Sequence, residues 1–92
     1  MRYTKKPITI EAFQMTKEAR WTPSKWPSWL LKAWDEGTVA PLVNESPSGE
    51  IFVATLEGNH SVSWGDFIIQ GIKNEIYPCK PDIFTMTYDE AS

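Results

Sequence analysis

Two short stretches concentrate the side chains that could do chemistry. Tyr77-Pro78-Cys79-Lys80-Pro81-Asp82 sets an aromatic ring, a thiol, an amine and a carboxylate on a segment stiffened by two prolines. Groups held on such a loop are presented at low entropic cost. In one reading Tyr77 stacks on a ligand while Lys80, with Asp82 beside it, meets a phosphate or an acidic side chain. In the other, the prolines end a strand and aim the last segment back onto a sheet. Gly65-Asp66 is the second stretch. A carboxylate directly after a glycine reads as a turn residue that binds nearby backbone N–H groups, or as an acceptor for a ligand hydroxyl or amine.

Other pairings carry less. Cys79 with His60 invites a cysteine-hydrolase reading, but no nucleophile signature surrounds the cysteine. Its proline neighbours also supply no helix N-terminus to lower its pKa, and a packed thiol fits better. A single cysteine excludes an intramolecular disulfide, and with one histidine it argues against a protein-only zinc site. Glu57, Asp66, Glu75 and Asp82 stand at no spacing that pairs two carboxylates. The five glycines are scattered at turns, so no phosphate-binding loop is present. The expectation is a protein without cofactor or metal, and not an enzyme.

Charge is unevenly spread. Residues 1–32 hold seven Lys/Arg against Glu11 and Glu18, a balance of +5, and residues 33–92 hold two Lys against ten Asp/Glu, a balance of −8, which together make the net −3. Opposite charges that pair on folding, or simply face solvent, account for this pattern. A sharper reading gathers Arg2, Lys5, Lys6, Lys17, Arg20 and Lys25 into a basic face that meets an anion. Duplex DNA is disfavoured as that anion, because a binder of bare duplex carries a basic excess overall. An acidic protein surface or a nucleotide phosphate remains.

The elements that must position these groups belong to one small domain. At 92 residues a single core is near the lower limit of stability, and the five Trp, four Phe and three Tyr supply the area it needs. Ile8, Ile10 and Ala12 alternate with Thr9, Glu11 and Phe13, a half-buried strand over residues 7–15. Residues 16–26 are polar, contain Pro23 and Ser24, and read as a loop. A helix follows over residues 27–36, with Pro27 in its first turn and Gly37 as its C′ residue. Leu30, Ala33, Trp34 and Trp26 form its core stripe, and Trp29 lies about 100° away from Leu30, partly exposed.

Four more strands are expected, over residues 38–43, 50–57, 60–64 and 67–71. Turn chemistry at residues 44–49 separates the first two, and Gly58-Asn59 makes a two-residue hairpin loop. A sixth strand, residues 75–79, returns through Ile72-Lys73-Asn74 with Asn74 left-handed. Residues 82–88 read equally as a short helix capped by Asp82 or as a final strand, and residues 89–92 as a frayed tail. The fold class is α+β: a meandering antiparallel sheet of five or six strands with one main helix packed on it. No apolar run follows the charges of the N-terminus and no stretch approaches the length of a membrane span. A soluble, cytoplasmic protein is expected.

The chain resembles, over nearly its full length, a family of small, mostly uncharacterised bacteriophage and prophage proteins. The resemblance rests on Tyr3-x-Lys5-Lys6-Pro7-Ile8-x-Ile10-Glu11-Ala12-Phe13-Gln14, Trp26-Pro27-x-Trp29-Leu30 and Thr55-Leu56-Glu57-Gly58. Its most specific part is Gly65-Asp66-Phe67-Ile68-Ile69-x-Gly71 followed by Glu75-Ile76-Tyr77-Pro78-Cys79-Lys80-Pro81-Asp82-Ile83-Phe84 and Thr87-Tyr88. The family is similar in turn to a wider group named for a Pro-Gly-Asp-Tyr-Gly turn. Trp64 stands where a Pro precedes Gly65-Asp66 in the pattern, and Asn74 where a Gly precedes Glu75. Asn suits a left-handed turn, whereas Trp64 creates a surface that this chain uses differently.

The resemblance implies a phage accessory protein that interferes with a host process, and carries no catalytic residues. Two versions of stoichiometric binding follow. A face built from Trp21, Trp26, Trp29 and Trp34 with Lys25 and Lys32 blocks a host defence or regulatory protein. Alternatively, aromatic stacking with Lys and Arg sequesters a small nucleotide signal, in an oligomer because a chain this small has little room for a deep pocket. A virion-associated assembly module is the alternative class, and a nucleotide hydrolase using Asp66, Glu75 or His60 the third. The residues expected to bind are Tyr77, Lys80, Asp82, Asp66, Trp64, Trp29, Lys25 and Arg20.

Overall fold

The structure, a computed structural model, describes residues 1–4, 8–41 and 49–89. The fold is α+β, and among the described residues six antiparallel strands are divided between two three-stranded sheets. Strands β1 (Glu11–Gln14), β5 (Phe67–Gln70) and β6 (Ile76–Cys79) form one sheet in the order β1-β5-β6. Strands β2 (Val39–Pro41), β3 (Ile51–Thr55) and β4 (Gly58–Val62) form the other in the order β2-β3-β4. The expected single meander therefore breaks between β4 and β5. There Gly65 takes φ 98° and the chain swings to pair β5 with β1. The residue after β1 holds the corner: Gly65 N donates to Met15 O and Met15 N to Asp66 O, both at 2.8 Å.

The main helix, α2 (Ser28–Asp35), starts one residue later than the sequence suggests, with Pro27 as an extended N-cap. Pro27 is still well placed, because its carbonyl accepts from Leu30 N and Leu31 N. Gly37 ends the helix at φ 82°. Leu30 and Ala33 face inward and join Met15, Val39, Ile51, Val53, Val62 and Ile68 in one cluster. A fully buried Ile or Leu contributes about 1.5–3 kcal/mol relative to exposure, so this shared cluster is what holds the two small sheets to α2.

Residues 16–26 are not a loop. They form α1 (Lys17–Arg20) and a 3-10 turn, Pro23–Lys25. Thr16 is an extended N-cap whose Oγ1 accepts from Ala19 N at 3.1 Å, and Pro23 opens the 3-10 turn, where its missing N–H costs nothing. The last segment is also helical: α3, Pro81–Thr87, with Lys80 as N-cap and Asp82 inside the first turn rather than capping it. Thr85 and Thr87, the residues that favoured a strand, donate their hydroxyls to Pro81 O and Ile83 O four residues back, a bond that satisfies threonine within a helix.

Several smaller expectations shift. The first strand is shorter than residues 7–15; Phe13 within it and Met15 just past its end meet the core, whereas Ile8 is exposed. The β3–β4 loop is Leu56-Glu57, since Thr55 pairs with Gly58. β4 ends at Val62, short of Trp64. Residues 5–7, the body of the turn at 44–49, residues 42–43 and residues 90–92 lie outside the described residues. Among the described residues no helix is long and apolar enough to cross a membrane.

Candidate functional site

The β5–β6 hairpin places the two stretches that could do chemistry opposite one another. Asn74 is left-handed at φ 63°. The turn closes with Gly71 N donating to Glu75 O at 2.8 Å and Asn74 N to Gly71 O at 3.0 Å. Glu75 folds its side chain over Gly71, where a Cβ would collide with its carboxylate, and Oε2 accepts from Lys73 N at 2.8 Å. The register that follows pairs Gln70 with Ile76 and Phe67 with Cys79. One step further along the ladder Asp66 comes level with Lys80, the closest kind of cross-strand neighbour.

There the lysine Nζ donates to Asp66 Oδ2 at 3.0 Å and to Ser63 Oγ at 3.3 Å. The same Oδ2 accepts from Ser63 N at 2.9 Å. Asp66 is therefore the turn acceptor that the Gly-Asp pair suggests, with its residual charge answered from within the protein. Lys80 is engaged before any ligand arrives.

Successive residues of a strand face opposite ways, and α3 covers one face of this sheet. Phe84 stacks on Phe67 with ring centroids 3.8 Å apart and planes 7° from parallel, and Tyr88 leans on Phe84 at 5.2 Å. Tyr77, on the face of Phe67, bonds Tyr88. Burial first, then that bond, pushes the Tyr77 hydroxyl up to about 12. Burial, followed by the carboxylates of Asp66 and Asp82, pushes the Cys79 thiol up as well. This is the opposite of what a nucleophilic cysteine needs.

Arg20 is likewise occupied. Its guanidinium lies 4.5 Å from the centroid of the Trp21 ring and 4.8 Å from that of Trp34, and its Nε donates to Gly49 O at 2.9 Å. Trp26 is buried, donates Nε1 to Ala19 O at 2.7 Å and meets Trp34 edge-on at 5.6 Å. Trp64 is half-buried and packs against the outside of the core beside the corner. Lys25 and Asp82 are exposed at the 3-10 turn and in the first turn of α3. The tryptophans are thus mostly core, with Trp21 the exposed one at 58%. The eight residues read as binding groups do not converge on one place.

Two of them, Trp29 and Tyr77, line a groove of about 1060 Å³ that runs between α2, the β3–β4 hairpin and the β5–β6 hairpin. Its apolar lining includes Trp29, Ala33, Ala54, Leu56, Ile76 and Pro78, and its charged lining Lys32, Glu36, Glu57 and Glu75, with His60 alongside. Lys32 is within 3.9 Å of Glu36. Trp29 carries the sharpest anomaly: among the described residues its indole N–H is the buried side-chain polar group without a hydrogen-bond partner. Sequence reasoning missed this groove, because Glu57 and Glu75 belong to the turns of two different hairpins. The signal was the pair of hairpin loops flanking one helix.

Among the described residues no three His, Cys, Asp or Glu side chains come together to hold a metal ion. No protein-family model, curated protein or solved structure matches the chain.

Proposed function

We propose that this chain is a binding protein that acts by stoichiometric association with a protein partner through the groove beside α2. The observation that carries this reading is the composition of the groove: a wall of Trp29, Ile76 and Pro78, the exposed Leu56 at its mouth, and three glutamates. Aromatic and aliphatic anchors of this kind dominate the energetics of protein interfaces. A sequestered nucleotide fits less well, because Lys80 and Arg20, the cations suited to its phosphates, are taken up by Asp66 and by two indole rings.

The resemblance to a phage family supports a setting inside a host cell, with a host defence protein as the partner that is blocked. An assembly module is the second reading, favoured by Ile83 and Met86, which are 49% and 81% exposed three residues apart on α3 and so share one face.

Affinity capture from phage-infected host cells tests both, with wild type, Leu56→Asp and Met86→Asp as baits and native mass spectrometry of each purified protein. Both positions are exposed, so each variant folds. Loss of a captured host protein with Leu56→Asp alone supports the groove. Loss of a phage structural protein with Met86→Asp alone supports assembly. A nucleotide-sized mass that stays with both variants overturns the protein-partner reading.

A further inference from the structure

We infer that the groove takes an extended peptide segment that presents a lysine or arginine flanked by aliphatic residues; this rests on the binding-protein reading above and names the chemistry of the partner. The groove is acidic. Three glutamates and one lysine line the groove. That lysine faces Glu36, the residue that caps its helix, which leaves Glu57 and Glu75 at the tips of the two hairpins that line the trough. A phosphate or an acidic segment is repelled there, whereas an ammonium or guanidinium gains from both carboxylates. Glu75 is preset for this role, because one carboxylate oxygen is held by Lys73 N.

Trp29 lines the same groove with its indole N–H shielded from solvent. The lining between the charged points adds to this. Ala33, Ala54, Ile76 and Pro78 offer small and aliphatic contacts, which suit the side chains flanking the cation rather than a second aromatic ring.

Short capped peptides, identical except for a central lysine, alanine or glutamate between leucines, are the probes, with binding read by isothermal titration and tryptophan fluorescence. At low salt the lysine peptide binds about tenfold more tightly than the glutamate peptide, and the gap narrows as salt screens it. Glu57→Lys, at an exposed turn, abolishes the preference. Equal binding of the three peptides by wild type, or a lysine preference that survives Glu57→Lys, overturns the inference.

Its failure is separable from failure of the groove reading. A host partner lost with Leu56→Asp but retained by Glu57→Lys leaves the groove standing and removes the cation. A partner retained by both removes the groove. A dimer in native mass spectra that Glu57→Lys dissociates makes the occupant a second copy of this chain, through its basic first third, and overturns the host peptide.

Discussion

The Lys80 ammonium lies 3.0 Å from Asp66 Oδ2, joining a lysine side chain that is 58% exposed to a carboxylate that is 4% exposed. The pair clamps the entry of β5 to the exit of β6, at the point where the chain leaves one sheet for the other. Asp66 holds the corner itself through Ser63 N, and Lys80 answers the charge that this bond leaves buried. The two halves of the most distinctive sequence pattern in the chain thus meet as one structural joint.

Replacement of Asp66 separates the two bonds. Asp66→Asn retains an acceptor for Ser63 N and releases Lys80 to solvent, at a cost of about 1 kcal/mol. Asp66→Ala strands the Ser63 N–H as well and costs about 2–3 kcal/mol. Urea midpoints measure both. Equal losses would mean that the backbone bond contributes nothing.

Alkaline pH acts on the other face of the same sheet. Tyr77 titrates near 12 when folded and near 10 when unfolded. Its raised value favours the neutral hydroxyl in the folded state, so its contribution is complete below pH ~10 and is lost as pH rises toward 12. Tyr77→Phe removes this slope from the stability curve, and ultraviolet absorbance places the last tyrosinate to form. A Tyr77→Phe variant with an unchanged alkaline slope would assign the effect elsewhere.

Cys79 should alkylate slowly. Burial and two nearby carboxylates keep its thiol protonated, and the thiolate is the reactive form. Iodoacetamide at neutral pH labels the folded protein more slowly than the urea-unfolded chain, and the difference shrinks in Lys80→Ala if that variant loosens the end of β6. Equal rates in folded and unfolded protein would contradict the burial.

The turn at Gly71 depends on space rather than on dihedral angle. Gly71→Ala displaces the exposed Glu75 side chain and breaks its bond to Lys73 N, for about 0.5–1 kcal/mol. In a Glu75→Ala background the same change costs little, because the obstacle is gone. A double-mutant cycle reads the coupling, and additive losses would refute the contact.

Much of the local structure was legible. Asn74 is left-handed, Gly37 stops α2 and Gly65-Asp66 turns the chain, because dihedral preferences and short side-chain-to-backbone bonds act within a few residues. The hairpin loop also implied its register, and with it Asp66 opposite Lys80, an inference that counting along the two strands could have drawn. Thr16 before Lys17, Glu18 and Ala19 was a readable cap for α1, outweighed by the polarity of the segment.

What the chain settles by itself is the turns at Gly37, Gly65 and Asn74, the approximate places of the strands, and that one helix carries a core stripe. The tertiary structure alone decides that β5 leaves β4 for β1, and that residues 81–87 coil so that Phe84 can stack on Phe67. It also decides that Arg20 reaches the carbonyl of Gly49, 29 residues away, and that two hairpin tips and α2 enclose a groove. Dihedral preference is a property of neighbours in sequence. The partner of a charge, and the space between elements, exist only once distant segments have packed around a common core.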